Sequence, residues 1–290
     1  MITELNNKIT THTAFVDEAF DQARALGYQL VVQIGLDGAQ LAVKEIQKNK
    51  FIALENYHFK DAFSFDMVTD LWTVLSAESK LLLPKYRQVT CIVVNNHSTI
   101  VPSPLFEESK KAAYLQFNSS IEPTDWIGVD DIKNLDAKNI FAIPQVLKDK
   151  LEAQFARPVY HHSSTVLLES LLGQNKNQAS KKLFVHIHPS RFEAIVLEGK
   201  RLLFYNTFQF LTPDDFLYYL LFIYEQLQMN PETQEAVFIG EVEKNSEFYN
   251  LALRYIRTVK MGERTDTAEY SYQLQTLPRH SFFTVFNSYL

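Results

Sequence analysis

The alternation of apolar and polar residues breaks the chain into short strands and a few amphipathic helices. Gln29 to Lys44 (QLVVQIGLDGAQLAVK) reads as two strands around Asp37-Gly38, a dipeptide favoured in tight hairpins because both residues tolerate positive φ. A third strand is predicted at Phe51 to Phe59, after the polar turn Gln47-Lys48-Asn49. Phe65, Val68, Leu71, Trp72 and Leu75 recur at helical spacing within Phe65 to Glu78, and Val89 to Asn95 is an apolar run fit for a buried strand. The stretch Ile100-Val101-Pro102-Ser103-Pro104 is expected to break the chain before a helix over Leu105 to Leu115, since prolines are tolerated in a first helical turn. Residues 116–138 are polar and read as an irregular surface insertion. A strand at Asn139 to Ile143, a helix at Gln145 to Phe155, a strand at Pro158 to His161 and a helix at Thr165 to Leu172 follow.

Gln174 to Lys182 (QNKNQASKK) has almost no apolar content and predicts a linker. The expectation is a first domain over 1–175 and a second over 176–290, with the C-terminal segment a candidate to return to the first. After the linker the pattern recurs. Leu183 to Leu197 gives two strands, Arg201 to Phe210 a third, Thr212 to Met229 a long helix, Ala236 to Gly240 a strand and Glu247 to Ile256 a helix. Val32, Ile34, Val43 and Glu45 fall on Val185, Ile187, Val196 and Glu198 with one constant offset. After a short deletion in the second hairpin, Phe51, Tyr57 and Phe59 fall on Leu202, Phe208 and Phe210. The repeat of element order, β-β-β-α-β-α twice, carries the inference of a duplicated α/β architecture.

Three antiparallel strands followed by a helix and a parallel strand resemble the ribonuclease H-like core, and two tandem copies with mixed sheets resemble the actin, Hsp70 and sugar-kinase superfamily. The likeness narrows at Asn206-Thr207-Phe208, Asp215 to Tyr219, Glu225-Gln226-Leu227, Val237 to Gly240, Ile100-Val101-Pro102 and Phe141 to Pro144. With these motifs the chain, from about Tyr28 to Ile256, resembles a Bacteroidetes domain-of-unknown-function family with an actin-like ATPase fold. The family has no established activity, so the resemblance implies a fold, and function has to come from the site.

In actin-like ATPases the first hairpin of each copy holds a phosphate loop, Asp-x-Gly, in which the aspartate organises the metal and the glycine admits the phosphate. The resemblance puts Gln33 at that aspartate and keeps Gly35, while Asp37-Gly38 reads as the hairpin closure. In the second copy His186 replaces the aspartate, His188 replaces the glycine, and Pro189 removes an N–H that could have donated to phosphate. The adenosine motif, two adjacent glycines after an apolar strand, keeps Gly240 and has Glu241 beside it. Phosphoryl transfer relies on metal and positioned charge, so loss of both acidic positions argues against ATP hydrolysis and against two-metal nuclease chemistry.

Composition sharpens that reading. Average usage of about 7% would give roughly twenty glycines, and the chain has 8, with neither G-x-G-x-x-G nor G-x-x-x-x-G-K-[ST] anywhere. A formal net charge of −6 supplies no basic field for nucleic acid or an anionic membrane. The first residues, MITELNNKITTHTAF, lack the pattern of a signal peptide, and the longest apolar run, Phe216 to Tyr224, is far short of the roughly twenty residues of a spanning helix. A cytoplasmic location is therefore expected. Cys91, the only cysteine, is expected to be a buried, inert thiol.

The remaining candidates are weighed against structural readings. His186 and His188 share one strand face and could ligate a metal if His161, His162 or a carboxylate converged on them, but the set lacks a cysteine partner or H-E-x-x-H spacing, and no metal is assigned. Ser163 and Ser164 read as a helix N-cap, and Thr212-Pro213-Asp214-Asp215 as a second one. The helix through Phe216 to Tyr224 carries a second apolar stripe, Tyr218, Leu221 and Phe222, which could face the other domain or form an interface with another chain. The expectation is a non-catalytic protein that binds a protein partner or itself, with no cofactor, no nucleic acid and no membrane. The alternative is a divergent Mg-ATP-binding ATPase or kinase using the interdomain cleft through Gly35, Asp37, Gly38 and Gly240.

Overall fold

A computed structural model describes residues 8–60, 62 and 64–288; part of the N-terminal stretch on which the signal-peptide reading rests, residues 1–7, lies outside them. The chain divides into two compact units, one made of Met1–Val166, Asp266–Leu277 and Thr284–Leu290, the other of Leu167–Thr265 and Pro278–Phe283.

The first unit is built on β1 (Ile9–Val16), β2 (Tyr28–Gly35), β3 (Gly38–Glu45), β4 (Lys50–Phe59), α1 (Phe65–Glu78) and β5 (Gln88–Val94). Then come β6 (Ser98–Pro102), α2 (Lys111–Gln116), β7 (Trp126–Ile132), β8 (Ala137–Ile143), α3 (Gln145–Gln154) and β9 (Val159–His162); the division between the units falls inside the next helix, α4 (Ser163–Asn175), after Val166. The main sheet runs β1-β4-β3-β2-β5-β9, antiparallel through the hairpins and parallel from β2 to β5 to β9. Its centre, β2, is buried on both faces. α1 starts where Ser64 accepts the N–H of Met67, and it lays Val68, Leu71, Trp72 and Leu75 on the sheet.

The second unit repeats the plan with β10 (Lys181–Ile187), β11 (Arg191–Glu198), β12 (Arg201–Gln209), α5 (Pro213–Gln226), β13 (Ala236–Gly240), α6 (Glu247–Leu253) and β14 (Val259–Met261). Its sheet order, β12-β11-β10-β13-β14, matches β4-β3-β2-β5-β9 strand for strand. α5 presses Phe216, Leu220 and Ile223 onto it, and Phe192, Phe210, Phe238 and Phe248 surround the Phe216 ring at centroid distances of 5.0 to 5.8 Å. The C-terminal stretch adds β15 (Glu269–Tyr270), α7 (Tyr272–Gln275) and α8 (Phe283–Phe286). β15 pairs with Lys50 and Phe51 of β4. No helix among the described residues is long and apolar enough to cross a membrane.

Three local expectations change. Ile100-Val101-Pro102 belongs to β6, which pairs with β8, and the helix expected over Leu105 to Leu115 is replaced by two 3-10 turns and the short α2. The stretch 116–138 is not irregular: it contains β7, whose alternating burial (Gly128, Asp130 and Ile132 inward) is diluted by two aspartates. In the first hairpin the connection is Leu36-Asp37, and Gly38 is already in β3. Asp37 is not among the positive-φ residues, so that dipeptide is no two-residue turn. Glycine is needed at 38 because a Cβ there would collide with the carbonyl oxygen of Tyr57 on β4.

Candidate functional site

In the first repeat, the cross-strand register sets Gln33 of β2 opposite Gln40 of β3. Gln33 is buried; its Nε2 donates to Gln40 Oε1 at 3.2 Å and its Oε1 accepts from Thr284 Oγ1 at 2.5 Å. Both ends of the amide are thus in use. Gly35 pairs with Val94 of β5, and a Cβ at 35 would lie 2.9 Å from Val94 Cβ and 3.0 Å from its carbonyl oxygen. Close strand packing accounts for this glycine without any ligand.

The second repeat places different groups on the same rung. His186 of β10 lies opposite Glu193 of β11, at the positions Gln33 and Gln40 hold in the first repeat. His188 follows two residues on, where the first repeat has Gly35. His186 Nδ1 lies 2.8 Å from Glu193 Oε2, His188 Nε2 lies 3.3 Å from the same oxygen, and Tyr205 of β12 donates its hydroxyl to Oε1 at 2.8 Å. All three members of the His–Glu–His set are buried. Burial, reinforced by the neighbouring His186, pulls the His188 imidazole down to about 4. Burial pushes the Glu193 carboxyl up, but the hydrogen bonds from His186 and His188 outweigh it and hold the group well below the usual carboxylate range. At neutral pH the cluster is an ionised carboxylate gripped by imidazoles and a phenol.

The backbone donors at this end of the sheet are also committed. The N–H of His188 donates to Arg191 O at 2.9 Å, that of Gly240 to His280 O at 2.9 Å, and that of Glu241 to Ile187 O at 2.8 Å. Gly240 has φ +90°, and a Cβ there would strike Ile187 O and come within 2.8 Å of His186 Cδ2, so close packing and backbone conformation both demand glycine.

The other sequence candidates lie elsewhere in the fold. His161 Nδ1 meets Asp130 Oδ1 at 2.8 Å, and the backbone N–H of His162 donates to Asp130 Oδ2 at 2.9 Å. The cap expected from a serine oxygen at the start of α4 is made by an imidazole: Ser164 N–H donates to His162 Nδ1 at 3.2 Å, and Ser164 Oγ sits 2.6 Å from the same nitrogen. That hydroxyl in turn accepts from Asn139 Nδ2 at 2.9 Å. Thr212 and Asp215 form a reciprocal capping box, and Asp215 is held below its usual range by the bonds it makes there. Cys91 is buried, which pushes its thiol up and leaves it inert. Within the second apolar stripe of α5, Leu221 is half-buried while Tyr218 and Phe222 are 64% and 38% exposed, their rings stacked at 6.3 Å.

Sequence reasoning missed Glu193 and Tyr205. The signal for Glu193 was present: the gap-free overlay that puts Val32 on Val185 also puts Gln40 on Glu193, so pairing across the hairpin sets it opposite His186.

A family model described as a protein of unknown function, DUF3822, matches residues 17–259. No curated protein matches the chain. Among solved structures, the chain is similar to a Bacteroides thetaiotaomicron protein described as having an actin-like ATPase fold and unknown function, with 21% identity and a TM-score of 0.76 over 88% of this chain and 97% of that one. It is also similar to a chain of a PilM-PilN type IV pilus biogenesis complex, with 12% identity and a TM-score of 0.54 over 89% of this chain and 96% of that one. At these identities the likeness establishes the actin-like ATPase fold and nothing about activity.

Proposed function

The chain belongs to the DUF3822 family of proteins of unknown function, and from that premise and its own site we propose that it is a non-catalytic scaffold that assembles with a second copy of itself along the outer edge of β12. The phosphate-loop positions support the non-catalytic half. Neither Gln33 nor His186 supplies the acidic Mg²⁺ ligand, and the amides of His188, Gly240 and Glu241 are already bonded within the protein. Saturating Mg-ATP, at a hundred times a given dissociation constant, would add about 2.7 kcal/mol to stability. The expected thermal shift with Mg-ATP is zero, and a clear upward shift overturns this half.

The observation that carries the assembly half is the difference between two edges. In the first unit the outer edge of β4 is covered by β1 over Ala53–Phe59 and by β15 over Lys50–Phe51. Its counterpart β12 ends its sheet with no strand beyond it among the described residues. β12 (RLLFYNTFQ) has no lysine, no proline and no acidic residue, the features that usually blunt an edge. Phe210 N–H donates inward to Ser190 O, so strand alternation turns the N–H groups of Tyr205, Thr207 and Gln209 outward. Thr207 N–H is met by Asn206 Oδ1 at 2.8 Å, a local substitute that a docking strand replaces.

A second copy fits this edge because the strand is self-complementary. Two-fold antiparallel pairing centred on Asn206 sets Phe204 of each copy opposite Phe208 of the other, an aromatic cross-strand pair made twice. Phe208 stacks on Tyr219 at 4.8 Å, and exposed Tyr218 and Phe222 continue the aromatic surface along α5. Mass by light scattering tests it. The wild type is expected as a dimer, with Thr207→Pro and the double change Tyr218→Ser/Phe222→Ser as monomers. Proline at 207 removes an outward donor and leaves the β11–β12 ladder intact. A monomeric wild type, or a dimer that survives Thr207→Pro, overturns the edge assignment.

A further inference from the structure

We propose that His186, His188 and Glu193 form a binding site for a divalent transition-metal ion of the zinc class. A strand period of two puts His186 and His188 on one face, and the β10–β11 register brings Glu193 opposite His186. Their ligating atoms all lie within 4.8 Å of one another, and the two rings sit with centroids 4.4 Å apart. Ligand atoms about 2.0–2.2 Å from a tetrahedral zinc are about 3.3–3.5 Å apart. Two of the three separations here, 2.8 and 3.3 Å, already fall near that range. The third, between the two imidazoles, lies within 4.8 Å. Two imidazoles and a carboxylate form a recognised zinc ligand set, with water as the fourth ligand.

Two further observations favour an ion over a merely structural cluster. The first repeat fills the same three positions with Gln33, Gln40 and Gly35, so the fold does not require histidine or glutamate there. Tyr205 anchors the far oxygen of Glu193, the outer support that a ligating carboxylate ordinarily has. His188, whose side chain is the most exposed of the three at 10%, gives the way in. The ion takes the place of the ring N–H contacts to Oε2, and each ring ligates as the tautomer whose proton has moved to the nitrogen facing away from the ion. Its effect is to tie β10 to β11, independently of the β12 edge.

The test is titration of the metal-free full chain with ZnCl₂ by calorimetry, with thermal melting alongside. One ion per chain and a raised Tm are expected, and Co²⁺ in place of Zn²⁺ should give the visible bands of a four-coordinate site. The double variant His186→Gln/Glu193→Gln copies the rung that the first repeat already accommodates, and it should lose uptake. Tyr205→Phe keeps all three ligands and should weaken affinity about 10–100-fold. Absence of stoichiometric uptake by the wild type overturns the proposal. So does wild-type affinity in a double variant that melts cooperatively; should that variant not fold, unchanged affinity in His188→Gln is equally decisive against it.

Discussion

The two repeats share a strand order and differ in what they place on it. In the first, the rung between β2 and β3 is a neutral amide pair, Gln33–Gln40, and the edge strand β4 is covered. In the second, the same rung is His186–Glu193, extended by His188 and Tyr205, and the edge strand β12 has no strand beyond it among the described residues. One backbone plan therefore accommodates either a closed, uncharged end or an open, ionisable one. The fold is set by the apolar positions common to both copies, which leaves the polar rung free to diverge.

Replacing residues of one repeat by those of the other is the direct way to stress this comparison. The largest effect is expected where the repeats depend on their own cores. Phe216→Ala removes the ring that four other phenylalanines surround, and should cost about 3–5 kcal/mol in chemical denaturation. Next comes the rung. Glu193→Ala leaves two imidazoles and the Tyr205 hydroxyl without their shared acceptor, at about 2–3 kcal/mol, whereas His186→Gln/Glu193→Gln should stay within about 1 kcal/mol of wild type, because both partners change together. Equal losses in the two variants would break the equivalence of the rungs.

A smaller effect runs in the other direction. Lys44 of β3 is buried and lies over the Phe51 ring, while the overlay puts Leu197 at its place in the second repeat. Burial pulls the Lys44 amine down to about 8 from its ordinary 10.5. Between those values the unfolded chain holds more protons than the folded one, so stability rises with pH from about 8 to 10.5, and the full penalty applies below 8. Lys44→Leu should raise stability at pH 7 by about 1 kcal/mol, once solvent screening at the amine is allowed for, and should flatten the rise between pH 8 and 10. Effects of similar size are expected at the helix starts. Ser64 caps α1 and Thr212 caps α5, and Thr212→Ala should cost about 1 kcal/mol, as should Ser64→Ala.

Much of the fold was legible because its information is local. The α1 stripe of Val68, Leu71, Trp72 and Leu75, the hairpin strands of both repeats and the Thr212–Asp215 box all follow from spacing within one or two turns or strands. Pro102 and Pro104 misled because a proline tolerated in a first helical turn is equally at home at a strand end or in a 3-10 turn. β7 was missed because two aspartates interrupt its alternation, although Asp130 is an inward residue that holds His161 and the His162 backbone.

The sequence alone determined the duplicated element order, the absence of acidic residues at the two phosphate-loop positions and the shared face of His186 and His188, since each depends on residue type and short-range periodicity. The tertiary structure decided what lies far apart in the chain. It seated β1 on β4, closed the amide of Gln33 with Thr284, and brought Glu193 and Tyr205 to the histidines. It also settled which aromatics of α5 face outward, with Phe216 buried and Tyr218 exposed. Periodicity states which face a residue occupies; only long-range strand pairing and packing determine what lies against that face.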